Sequence, residues 1–124
     1  MFKVEDALKL VMRRFRQRLR IDYAVRYAKQ TGDVCPDIVE FLSQSERKIR
    51  VERPEDWLMV CSRTYDAFRD DPVCPVIREW CDGCKSATVA AELNGISRRV
   101  FYERQRVFFG FALAIARDMK LVEW

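Results

Sequence analysis

The sequence predicts an all-α fold of about six helices. Three observations carry that expectation. Only four glycines and four prolines interrupt 124 residues, so the chain is poor in the turns that a many-stranded β fold requires. Apolar residues recur at helical spacing along most of it. No segment stands out as strictly alternating. With about half its residues hydrophobic and a third charged, such a chain buries a core rather than staying disordered.

The first helix is predicted from Val4, Leu8, Val11, Phe15 and Leu19, which share one face. It continues through Tyr23 and Tyr27 to Gly32, which can take the left-handed conformation that ends a helix. Pro36 suits the first turn of a second helix with Ile38, Phe41, Leu42 and Ile49 on its buried side. Pro54, followed by Glu55 and Asp56, marks a third start, because carboxylates favour a helix N-terminus. Its stripe is Trp57, Leu58, Cys61, Tyr65 and Phe68. Asp70-Asp71-Pro72 breaks the chain, and Pro75 opens a short fourth helix with Val76, Ile77 and Trp80. Ser86 begins a fifth, with Val89, Ala90 and Leu93 inward. Asn94-Gly95 closes it, and Ser97 caps a long final helix running to about Asp118. The organisation expected is residues 1–71 as a helical support or dimerisation region and residues 72–124 as a compact three-helix unit.

Charge is uneven. Residues 1–50 carry a net +5, residues 51–84 a net −4 and residues 85–124 a net +3. The cations are 17 Arg against 6 Lys, and the planar guanidinium fork suits phosphate and guanine. There is no histidine, which removes the commonest general base and every His-containing metal site. No catalytic constellation is visible, and no enzyme activity or cofactor is expected. The five cysteines include Cys81-x-x-Cys84 with Cys74, Cys61 and Cys35. A second C-x-x-C would make a zinc site; none is present, so packing is the preferred reading and no metal is assigned. The longest apolar run, Val107 to Ala116, is too short to span a membrane. Glu5, Asp6 and the early cations do not resemble a signal peptide. A cytoplasmic protein with reduced thiols is expected.

The segment from Lys85 to Val107 has the logic of a helix-turn-helix. Ala90 or Ala91 permits a close helix crossing, Gly95 a tight turn, Ile96 plugs the corner and Ser97 caps the second helix. On that second helix Val100, Phe101, Val107, Phe108, Phe111, Ala114 and Ile115 are assigned to the packing side. Ser97, Arg98, Arg99, Tyr102, Gln105 and Arg106 form the candidate DNA-contacting set, since the first turns of a recognition helix reach base edges while nearby cations meet phosphates. Phe109 points away from the other apolar residues, either onto the N-terminal helices or across a homodimer axis.

Ile96-Ser97-Arg98-Arg99-Val100-Phe101-Tyr102-Glu103-Arg104 resembles the recognition helix of small phage and prophage transcription regulators of the ArpU and RinA type. Their C-terminal halves are similar to the promoter-reading region four of sigma factors. The resemblance covers roughly residues 73–118. It implies double-stranded DNA as partner, with the helix of about Ser97 to Val107 in the major groove, and no chemistry. RNA polymerase is a candidate partner of the N-terminal half. The alternative is a helical protein–protein module, such as a polymerase-binding antitermination factor. The basic run Arg13 to Arg20 reads first as a solvated face and second as auxiliary phosphate contacts; Glu5 and Asp6 on the same helix argue against a membrane. The acidic middle reads as a surface kept off DNA phosphates or meeting a basic partner.

Overall fold

The computed structural model describes residues 3–32, 34–83 and 85–123. Among them are six helices and one two-stranded antiparallel sheet: α1 (Val4–Arg16), α2 (Arg18–Gln30), β1 (Ile38–Leu42), β2 (Lys48–Glu52), α3 (Pro54–Ala67), α4 (Val73–Asp82), α5 (Ala87–Leu93) and α6 (Arg98–Asp118). The fold is therefore mostly helical and not all-α. None of the helices is long and apolar enough to cross a membrane.

Two corrections leave the helix number at six. The first predicted helix is two. Ala7, Val11 and Phe15 form the buried stripe of α1, whereas α2 buries Ile21 and Val25. Ile21 lies six positions after Phe15, which on a continuous helix would put it about 120° away from the stripe. The chain resolves the conflict with a break at Gln17, and Leu19 is left 51% exposed. Gly32, at φ 106°, follows the end of α2 as expected.

The second predicted helix is a hairpin. Val39 pairs with Val51 and Phe41 with Ile49, all facing the core, while Glu40, Arg50, Lys48 and Glu52 face outward. Lys48-Ile49-Arg50-Val51-Glu52 is a strict alternation, the period of a strand with one wet face. The turn is closed by the Ser43 N–H donating to the Arg47 carbonyl at 2.9 Å and the Arg47 N–H donating to Ser43 Oγ at 3.1 Å. Pro36 is buried ahead of β1 rather than opening a helix.

The remaining elements start near the predicted signals. Pro54 is the first residue of α3, with Glu55 and Asp56 in the first turn. Arg53 before it is left-handed at φ 50°. That turn sends its guanidinium to the far end of α6, donating to the Met119 and Lys120 carbonyls at 2.8 and 3.1 Å. It thereby gives a partner to the two carbonyls that follow the last turn of α6. Ser86 and Ser97 cap α5 and α6, their Oγ atoms accepting from the Val89 and Val100 N–H groups, each at 3.2 Å. Gly95 at φ 65° makes the turn between these helices. On α5 the buried pair is Ala90 and Ala91, so the expectation that Val89 and Leu93 point inward is corrected: both are exposed.

The core is centred on four aromatic rings. Phe15 of α1 meets Tyr65 of α3 at 5.6 Å and Phe108 and Phe109 of α6 at 5.6 and 5.2 Å, mostly edge to face. Such contacts add to the area burial of each ring. Phe15→Ala is expected to destabilise the protein by about 3–5 kcal/mol, and Leu19→Ala by less than about 0.5 kcal/mol. Urea unfolding followed by circular dichroism measures both, and comparable losses would contradict this packing.

Candidate nucleic-acid interface

α6 has 21 residues and spans about 31 Å. Its buried side is Phe101, Gln105, Phe108, Phe109, Ala112, Leu113 and Ala116. That face is rotated from the predicted one. Gln105 is only 9% exposed, while Val107 is 61% exposed and Val100, Phe111 and Ala114 are also outside. Gln105 lies four residues from both Phe101 and Phe109, so the two rings carry it inward. It is accordingly removed from the solvent-facing set. Phe109 packs inside the chain, 6.1 Å from Trp80 as well as against Phe15.

The other predicted residues remain on the surface. Arg98, Arg99, Tyr102 and Arg106 are exposed along the first turns of α6. The Arg98 guanidinium lies 5.8 Å from the Tyr102 ring. Arg99 donates to Glu103 at 3.2 Å in a solvent-exposed pair, worth a few tenths of a kcal/mol at most. Ser97 is exposed and its hydroxyl serves as the cap. Arg104, which the sequence reading left unassigned, turns the other way and donates to Asp71 at 3.3 Å.

The basic run splits by role. Arg14 lies 5.8 Å from the Trp57 ring and donates to Gln17 at 2.7 Å. Arg18 donates to Asp82 at 2.6 Å. Burial lowers the Arg18 guanidinium, and the hydrogen bond and charge of Asp82 more than offset it, so it ends above its ordinary value. Arg13 and Arg16 stay exposed, with Lys9 beside them. These three surround a shallow groove floored by Met12 and Trp80. The Arg16 guanidinium lies 5.0 Å from the Trp80 ring, and Trp80 reaches Phe101 of α6 at 6.2 Å. One indole thus joins the cationic flank of α1 to the start of α6, a neighbourhood the sequence alone did not reveal.

Cys84 lies outside the described residues, so the Cys81-x-x-Cys84 pair has no geometry to report. Among the described residues no group of three thiols or carboxylates is placed to hold a metal. Burial pushes the Cys61 and Cys81 thiols up to about 12 from an ordinary value of 9.0. Both are neutral and unreactive near neutral pH. In the unfolded chain these thiols ionise first, so stability falls as the pH rises from about 9 toward 12. At pH 8 a thiol-alkylating reagent should modify exposed Cys35 in the native protein and spare Cys61 and Cys81 until denaturant is added. Peptide mapping by mass spectrometry reads each site, and prompt native labelling of Cys61 or Cys81 would contradict their burial. Compared with protein-family models, curated proteins and solved structures, the chain matches none of them.

Proposed function

We propose that this protein is a DNA-binding transcription regulator of the phage and prophage kind, whose α6 enters the major groove by its N-terminal turns. One observation carries the reading: Arg98, Arg99, Tyr102 and Arg106 are exposed on the leading turns of a helix whose opposite side is fixed in an aromatic core. Major-groove readout needs a rigid helix with free donors near its N-terminus. The short α5 with Ala90 and Ala91 buried, and the Gly95 turn after it, are what a helix-turn-helix reading calls for. Lys9, Arg13 and Arg16, joined to α6 through Trp80, supply phosphate contacts that set affinity without reading sequence.

The second reading is a helical protein–protein module of the polymerase-binding antitermination kind. It is favoured by the exposed apolar side chains Val89 and Leu93 on α5 and Val107 on α6. On this reading those residues meet a protein partner.

Fluorescence anisotropy with random duplex DNA across a salt series separates the two. A groove binder loses affinity linearly in log–log form, with a slope of about −0.9 for each phosphate neutralised. Arg98→Ala combined with Arg99→Ala should weaken binding at least about tenfold, the scale of one or two lost charge-assisted contacts. Absence of salt-dependent binding by the wild type at low ionic strength would overturn the DNA reading.

A further inference from the structure

The acidic middle of the chain has a basic cleft. Residues 51–84 carry four arginines and a net charge of −4, yet three of those arginines, Arg63, Arg69 and Arg78, line one cavity of about 600 Å³ between α2, α3 and α4. Arg18 and Arg26 of α2 complete its wall. Cavities of this size hold metabolite-sized ligands.

The charges in it do not cancel. Arg18 pairs with Asp82 at 2.6 Å, Arg26 with Asp22 at 3.1 Å and Arg69 with Asp66 at 3.7 Å. Among the described residues Arg63 and Arg78 have no carboxylate partner, which leaves two uncompensated positive charges in one concavity. The Tyr65 ring orders the site. The Arg78 guanidinium lies 4.3 Å from the ring centre and that of Arg18 lies 5.6 Å from it. Stacking of this kind holds a guanidinium by its face and leaves its N–H edge free for an anion. Next to the ring Arg18 Nε is a buried donor, and Asp82 Oδ1 a buried acceptor, with no hydrogen-bond partner, while the hydroxyl of Tyr65, itself only 4% exposed, bonds with the Cys81 thiol. The Tyr65 hydroxyl has the Cys61 and Cys81 thiols, Arg18 and Asp82 as its electrostatic neighbours. The orphaned Arg18 Nε, in the wall of a cationic cavity, is a donor of the kind that an absent acceptor leaves behind.

We propose that this cleft binds a small molecule through a dianionic phosphate group, gripped by the free guanidiniums of Arg63 and Arg78. A phosphomonoester carries a charge of about −1.5 to −2 at pH 7, which matches the two unpaired arginines. A backbone phosphodiester carries one charge per phosphate and matches only half of it. The site goes beyond the DNA reading and does not depend on it, since none of its residues belongs to the α6 set.

Isothermal titration of the full chain with inorganic pyrophosphate, AMP and cyclic AMP tests the proposal, because AMP and cyclic AMP share base and sugar but differ in phosphate charge. Pyrophosphate or AMP should bind one site per chain, and cyclic AMP at least about tenfold more weakly. Arg63→Ala and Arg78→Ala should each weaken binding about tenfold or more, while Arg98→Ala combined with Arg99→Ala leaves it unchanged. Arg63 is exposed, so its variant keeps the fold, and far-UV circular dichroism checks this. The proposal is overturned if neither anion binds at about 1 mM, if the Arg63 and Arg78 variants bind like wild type, or if AMP and cyclic AMP bind alike. Displacement of the bound anion by duplex DNA would also overturn it, by making the cleft part of a nucleic-acid surface.

Discussion

Everything on the surface of α6 is set by burying two consecutive phenylalanines. Phe108 and Phe109 leave a helix about 100° apart, so no single flat partner covers both. α6 must lie in a trough. Phe108 faces α3, meeting Tyr65 at 5.4 Å and Phe68 at 5.2 Å, and Phe109 turns toward Phe15 and Trp80. Once both rings are placed, the rotation of the helix is fixed. Gln105 is carried inward, Val107 outward, and Arg98, Tyr102 and Arg106 are held on the solvent side. Arg53 then ties the Met119 and Lys120 carbonyls, just past the end of α6, to the start of α3. A helix gripped along one side and at its far end presents its leading turns with little freedom.

Sequence reading succeeded where single residues dictate backbone geometry. Pro54, Ser86, Ser97 and Gly95 each have a conformational or capping preference that acts locally, and the chain obeys them. It failed where two signals competed. Around the hairpin, adjacent apolar pairs Ile38-Val39 and Phe41-Leu42 obscure the alternation of β1, and Pro36 imitates a helix start. The cleaner strand, Lys48 to Glu52, alternates strictly and carries β-branched Ile49 and Val51, but five residues with no evident partner did not stand out, and Ile49 was assigned to a helix. The α1–α2 break was hidden because Leu19 continues the apolar spacing even though the core beneath it has turned away.

The site was legible by residue type more than by direction. Four of the expected side chains are exposed together, and the N-cap lies at Ser97. Gln105 was misplaced because polarity was read as exposure, and Val107 because apolarity was read as burial. A helix whose apolar residues lie all the way round carries too little asymmetry to fix its own rotation. Only the partners do that, and they come from α1, α3 and α4, far away in sequence. For the same reason Trp80 could be recognised as a packing residue but not as the link between α1 and α6.

Regional charge was a poor guide to local charge. The acidic average of residues 51–84 conceals a cationic cavity because helical periodicity sorts the side chains. α4 shows the sorting in ten residues. Arg78 and Asp82, one turn apart, share the side that meets Tyr65 and Arg18, and Trp80 projects from the opposite side toward Arg16 and Phe101. The same helix buries Val76, Ile77 and Cys81 between those sides. The cationic surface on α6 and α1 and the cationic cleft among α2, α3 and α4 thus lie on opposite sides of one short helix, which gives Trp80 to the first and Arg78 to the second.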